Sequence, residues 1–274
     1  LEIVTVNFDA TRIPNAFGAP VYHRTETAST MEDARILAEA GAPSGTAVYA
    51  DFQSAGRGRV AGRIWEARKG ESLLCTVLVR EAPAPGFTLR VGLAVARTFD
   101  HFLAADPAAR GGPPSGPTRI KWPNDVLVDG KKLAGILCES GGAECAVGGN
   151  AAGPLVFIGA GLNIGQRSFP PELERKATSL ALAGPPRIPP IPEALALYLA
   201  NLRDALADPD WQHAVSEKLL WRGERISFLA GDPERGETIE GVIEGIGPSG
   251  ELLFRRDGGE TERLWSGEIP YPEP

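Results

Sequence analysis

Histidine and cysteine are scarce in this 274-residue chain, at three of each. Cys75, Cys138 and Cys145 are widely spaced, and an odd count without any C-x-x-C argues against a disulfide framework or a structural zinc site. His23, His101 and His213 lie far apart, with no metal-type spacing. No apolar run approaches the ~18 residues that a membrane-spanning helix needs. The opening LEIVTVNFDA lacks the basic start and continuous apolar stretch of a secretory signal, and Leu1 is not an initiator methionine. Positive charge is in deficit too. Against 35 acidic residues stand 28 Lys and Arg, and the net charge of −7 opposes nonspecific binding to DNA or an anionic membrane. These absences point to a cytoplasmic protein with no membrane or nucleic-acid partner.

What remains suits a packed core, with 43% hydrophobic and 23% charged residues. Residues 20–28 read as a strand. STMEDARILAEAG then reads as a helix, with Ser29 or Thr30 at the N-cap, Glu32 and Asp33 in the first turn and Gly41 past its end. Strands are expected over 46–53 and 72–80, the second a continuous apolar run of the kind found inside sheets. Residues 87–105 carry apolar side chains at helical spacing, and 106–118 read as a mobile surface connection. Further strands are expected at 119–122, 126–128 and 133–139, with Asp129-Gly130 as a tight turn, and at 154–165. A stiff proline-rich linker, 184–192, leads to helices at 193–207 and 210–221. From 222 onward, short strands alternate with glycine-rich turns, which suggests a small β-barrel. Two domains are expected, 1–221 and 222–274.

Several segments carry more charge than packing requires. In GRGR (56–59), glycines allow successive backbone N–H groups to turn toward an anion, and Arg57 and Arg59 can grip its oxygens as forks. Arg63 follows closely. Taken alone, such a loop is more often a solvated basic turn. Lys131 belongs to the charged Asp129-Gly130 turn, whereas Lys121 and Lys132 adjoin apolar strand sequence and could share one sheet edge. Trp122-Pro123-Asn124-Asp125 is foreign to a strand interior, because proline lacks the ladder donor and Asn-Asp favours turns. It predicts a kink that exposes Asn124 and Asp125, as a ligand-binding corner or as an edge-strand end. Ser29 and Thr30 are ordinary caps that can also meet a polar ligand at a helix start.

Taken together, S-T at a helix start, Q-S-A-G-R-G-R, K-W-P-N-D, K-L-A-G-I and G-A-G-L-N-I resemble the bacterial biotin protein ligases, in order and spacing, from about residue 22 to 165. The segment GVIEGIGPSGELLF…LWSGEI looks like that family's C-terminal barrel. The resemblance implies an α+β fold: a mixed catalytic sheet with helices on one face, as in class II synthetases, followed by a small barrel like Src-homology-3. It implies an ATP-dependent enzyme that forms biotinyl-adenylate and passes biotin to a lysine of a biotin carboxyl carrier protein, with Mg²⁺ beside the nucleotide.

Residue by residue, the resemblance assigns the ring of biotin to Ser29, Thr30 and Gln53, and counts Gly56, Gly58 and Gly135 among the biotin-binding residues. It assigns its carboxyl group and the phosphates to Arg57, Arg59 and Lys132, with Lys121 a weaker member of the catalytic set. Trp122, Asn124, Asp125 and Asn163 fall to the nucleotide. Residues 54–63 are expected to close over the adenylate. Three departures stand out. Met31 replaces the asparagine of the usual S-T-N, one residue more than usual separates GRGR from Trp65, and the N-terminal DNA-binding domain of repressor members is absent. The last leads to an expectation of no DNA binding; a homodimer is allowed. Two alternatives stay open: a lipoate or octanoate ligase or a transferase with Cys138 as nucleophile, and a non-catalytic biotin or nucleotide binder on the same fold.

Overall fold

A computed structural model describes residues 8–60, 62, 64–80, 83–103, 116–141, 154–231 and 235–271. Most of the 106–118 connection, together with Arg63 and Cys145, lies outside them.

Eight strands form one mixed sheet: β1 (Asp9–Ala10), β2 (Val21–Arg24), β3 (Ala47–Ala50), β4 (Ser72–Arg80), β5 (Arg119–Lys121), β6 (Asp125–Val128), β7 (Lys131–Ser140) and β8 (Leu155–Asn163). Their order is β1-β2-β3-β4-β8-β7-β6-β5, and only β2 and β3 run parallel. The apolar run SLLCTVLVR is β4, paired along its whole length with β8, from Ser72 opposite Asn163 to Arg80 opposite Leu155. Between β6 and β7, Asp129 (φ 49°) and Gly130 (φ 74°) turn with the positive dihedrals of a tight hairpin, where an Asp-Gly pair costs little.

Helix α1 (Thr30–Glu39) starts where Ser29 accepts a hydrogen bond from the Met31 amide, 3.3 Å away. Helix α2 (Phe87–Leu103) lies across the sheet with Val91, Val95 and Phe99 buried. A short turn, α3 (Leu180–Ala183), precedes α4 (Ile191–Ala207) and α5 (Trp211–Lys218). The expectation of helices on one face holds for α2, α4 and α5. Helix α1 takes the opposite face, packing Met31, Ala34 and Leu37 against Val48, Leu78 and Phe157. The cause is alternation along β4: Leu73, Cys75, Val77 and Val79 feed the α2 side, while Leu78 feeds the α1 side.

The remaining strands, β9 (Arg225–Ala230), β10 (Glu237–Ile246), β11 (Leu252–Arg256), β12 (Thr261–Leu264) and β13 (Gly267–Glu268), form an antiparallel sheet in the order β12-β11-β10-β9-β13. Its two edges, β12 and β13, are joined by only Trp265 and Ser266. So short a link spans about 10 Å at most, and the sheet has to curl back on itself. Phe228, Ile243 and Phe254 fill its interior and continue the α2-side core without a break. Trp122 is the joint: its ring lies 5.9 Å from that of Phe228, and its indole N–H donates to the Gly250 carbonyl at 3.1 Å.

Candidate active site

Helix α1 covers only part of its face of the sheet. Beyond its N-terminus, the strands present Thr76, Gly135, Gly159 and Gly161 in place of bulky side chains, and the cross-strand register stacks Gly135 on Gly161 and Thr76 on Gly159. A cavity opens over this floor. Ser29, Thr30, Gln53 and Met31 wall one end; Arg57, Arg59 and Lys132 line its mouth. It leads into a wider limb of about 380 Å³, which shares Arg59, Trp65, Asn124 and Lys132 with the first. That size is typical of small-molecule sites.

The inner end is polar on one side. The Gln53 carbonyl oxygen accepts from the Thr30 amide at 2.7 Å and from the Thr30 hydroxyl at 2.9 Å, and the Thr76 hydroxyl lies 2.9 Å from that of Thr30. With its oxygen committed, Gln53 keeps its NH₂ group for a ligand. Met31 and Leu137 make the other side apolar.

The glycine-rich loop folds back on itself. Arg57 bridges Ile64, and the Trp65 amide donates to the Gly56 carbonyl at 3.0 Å. This return lays the Trp65 ring on the glycine floor: a Cβ at Gly161 would fall 2.5 Å from its ring atoms and one at Gly135 2.8 Å. The buried indole Nε1 of Trp65 has no hydrogen-bond partner among the described residues, so it can donate to a ligand.

Each cation at the mouth is already engaged. Arg57 donates to Glu32 at 2.7 Å, Arg59 to the Gly267 carbonyl at 3.0 Å, and Lys132 stands 2.7 Å from Asp125 as an ion pair without hydrogen-bond alignment. Arg57 and Glu32 are half exposed, and such pairs contribute about 0–1 kcal/mol. A charge-assisted bond to a ligand anion is worth about 1.5–3 kcal/mol, so the guanidinium can change partners readily.

Every site residue expected from the sequence except Gly56 lines one limb or the other. Lys121, Trp122, Asp125 and Asn163 join the wide limb. Gly56 sits directly behind it, where an added Cβ would meet Gln53 and the Trp65 carbonyl at 3.1 Å. One expectation needs correction. Asn124 and Asp125 are half-buried rather than exposed, because Asn124 donates to the Ile136 carbonyl at 2.8 Å and ties the corner to β7. Asn163, in the wall of the wide limb, donates to the Thr178 carbonyl (3.0 Å) and accepts from Gln166 (2.9 Å). Cys138 points toward the α2 side of the sheet, away from the cavity floor, and burial pushes its thiol up to about 12, far from a ready nucleophile.

Sequence reasoning passed over Trp65 and Thr76, and over Glu268 of β13 and Tyr271 just beyond it, which complete the walls, and over Glu32, which accepts from Arg57. The G-A-G alternation at 159–161 is the signal that could have revealed the bare floor. Nothing local announces Glu268 or Tyr271, which return from another sheet.

Residues 22–151 match the Biotin/lipoate A/B protein ligase family. The chain is 33% identical to the bifunctional ligase/repressor BirA of Bacillus spizizenii, over 92% of this chain and 74% of that protein. It is 37% identical to the biotin–[acetyl-CoA-carboxylase] ligase of Mycobacterium tuberculosis, over 90% and 86%.

This chain belongs to the biotin/lipoate protein ligase family.

Among solved structures, the biotin protein ligase of Aquifex aeolicus in complex with biotin and ATP superposes with a TM-score of 0.72 at 26% identity, covering 91% of this chain and 97% of that one. The Leishmania major enzyme in complex with biotinyl-5-AMP gives 0.59 at 26% identity, covering 90% and 98%. Each superposition of this ligase-family chain leaves only about a tenth of it uncovered.

Proposed function

We propose that this protein activates biotin with ATP and transfers it to a lysine of a biotin carboxyl carrier protein. The observation that carries the reading is the pair of limbs sharing Arg59 and Lys132: one has a polar side and an apolar side suited to a small amphipathic ring, the other has room for a nucleotide, and the cations line both.

In the first half-reaction, a carboxylate oxygen of biotin attacks the α-phosphorus of ATP and the bond to pyrophosphate breaks. Two anions approach one another here, and negative charge grows on the phosphoryl oxygens. Arg57, Arg59 and Lys132 offset that charge on exchanging Glu32, the Gly267 carbonyl and Asp125 for the phosphoryl oxygens, an electrostatic stabilisation of the kind that lowers such barriers most. The ureido edge of biotin faces Ser29 and the Gln53 NH₂ group, and the Trp65 ring, seated on Gly135 and Gly161, packs beside the bicyclic ring. Lys121 serves the nucleotide from the wide limb. In the second half-reaction, the acceptor amine attacks the acyl carbon and AMP leaves. That amine, ordinarily protonated below about pH 10.4, first has to lose a proton.

Magnesium, once bound with the nucleotide, would supply neutralisation of the phosphate charge. No group of three or more His, Cys, Asp and Glu residues gathers among the described residues. The wide limb offers Asp125 and Glu268, which suits an ion held mainly by phosphate oxygens and water.

The direct test is incubation with biotin, ATP and a carrier domain, followed by mass spectrometry of the carrier. A single biotinyl adduct on one lysine is expected; an unmodified carrier, with the protein folded and ATP present, contradicts the proposal.

A further inference from the structure

Two glycines of β8 face the cavity, and each lies under a side chain brought from elsewhere. Trp65 lies over Gly161, and Met31, in the first turn of α1, lies over Gly159. The terminal methyl of Met31 is 2.9 Å from the place a Cβ at Gly159 would take. The cross-strand register sets Gly159 between Thr76 of β4 and Leu137 of β7. Met31 is only 4% exposed, and with Leu137 it lines the inner limb.

The groups around this spot divide by polarity. Ser29, Thr30, Thr76 and Gln53 offer hydroxyls and an amide. The side chains of Met31 and Leu137 offer no donor, and the thioether is a weak acceptor. The Met31 amide is already committed to the Ser29 hydroxyl at 3.3 Å. A bicyclic ring with a ureido on one edge and a sulfur on the other fits these walls one way round. Its ureido meets the hydroxyls and Gln53, and its sulfur edge meets Met31 and Leu137. A bare thioether loses little there. An oxygen on that sulfur would be buried with no donor to meet it, which is costly.

We propose that Met31 is a specificity-determining residue: its side chain makes the end wall of the ring limb apolar, so that the limb takes the thioether acid and rejects the same acid oxidised at sulfur. This deepens the reading of the inner limb as the biotin ring site and rests on it.

The test uses the full chain with Met31→Gln, which nearly keeps length and volume while adding an amide, and with Met31→Leu, which stays apolar. Calorimetry measures biotin, biotin sulfone and an analogue methylated on a ureido nitrogen against each. The wild type should bind the sulfone at least about tenfold more weakly than biotin, as one unpaired buried oxygen implies. Met31→Gln should narrow that ratio to roughly threefold or less, and Met31→Leu should leave it as in the wild type. The methylated analogue should stay weak by the same factor in every variant. Each comparison is a ratio within one variant, so a general loss of affinity cancels. Equal binding of biotin and sulfone by the wild type overturns the proposal before any variant is made. So does a ratio unchanged in Met31→Gln, a ratio narrowed as much by Leu as by Gln, or a Gln effect confined to the methylated analogue. Met31→Asn, which restores S-T-N, repeats the test where Gln disturbs folding. A folded wild type that binds no biotin overturns the ring-site reading and this inference together, whereas biotin bound with a flat sulfone ratio overturns only the role of Met31.

Discussion

Lys132 and Asp125 face each other across the β6–β7 pair, Nζ to Oδ1 at 2.7 Å, at the place where the two limbs of the cavity meet. The carboxylate parks the ammonium while the site is empty, and an incoming acyl-phosphate oxygen competes for the same charge. Lys132→Met should lower single-turnover pyrophosphate release by roughly a hundred- to a thousandfold, the usual loss on removing one preorganised donor. Asp125→Asn leaves the ammonium in place and should cost far less. Equal losses in the two variants would mean that the pair acts as one structural unit.

The glycine floor makes a steric prediction. Gly161→Ala puts a methyl group 2.5 Å from the Trp65 ring, so the ring has to move off its seat. Overpacking of this kind costs about 1–3 kcal/mol, and biotin affinity should drop roughly tenfold or more. Calorimetric titration with biotin measures it. Unchanged affinity would show that Trp65 does not pack beside the bound ring.

Burial pushes the thiols of both Cys75 and Cys138 up to about 12. Neither should react with iodoacetamide at about pH 8 in the native protein, and both should react once it is unfolded. Cys138→Ser should keep full ligase activity. Peptide mapping by mass spectrometry reads the first and pyrophosphate release the second; an inactive but folded Cys138→Ser would reinstate the cysteine-dependent transferase.

A stability prediction comes from the α2–α5 contact. Lys218 is buried against Asp100, which also accepts from the Thr118 hydroxyl at 2.8 Å and its amide at 3.1 Å. Asp100→Asn removes the carboxylate facing the ammonium and should cost about 3 kcal/mol in urea unfolding. Desolvation holds the Lys218 pKa below its usual 10.5, opposed by Asp100. A depressed folded pKa means that the unfolded chain binds more protons between the lowered value and 10.5, so this group adds stability as pH rises through that window and loses it as pH falls. Without Asp100 the depression deepens, and the variant should recover part of its deficit as pH rises toward 10.5. A deficit independent of pH would place the cost in Thr118 instead.

Much of the architecture was legible because local signals agreed. The unbroken apolar run at 72–80 could only be an interior strand, the 87–103 stripe is α2, and Asp129-Gly130 is the hairpin turn it reads as. The cation set at 57, 59 and 132 was legible from charge placed beside apolar strands, and the family from motifs in order. What stayed hidden depends on contacts between distant segments. Strand β8 inserts between β4 and β7, which alone brings Gly161 under Trp65 and Gly159 under Met31. Opposite-face packing of α1 follows from alternation inside β4, which a run of uniformly apolar residues conceals. Tyr271 reaches Lys121 only because the barrel's last strand ends beside β5's cation.

The most direct test of the central claim, that one cation cluster joins a small acid to a nucleotide, is pyrophosphate release measured side by side with biotin, lipoate and octanoate. The account predicts release with biotin and ATP, little with the other two acids, and its collapse in Arg59→Ala. Release driven equally by lipoate or octanoate, or by biotin undiminished in Arg59→Ala, would contradict it.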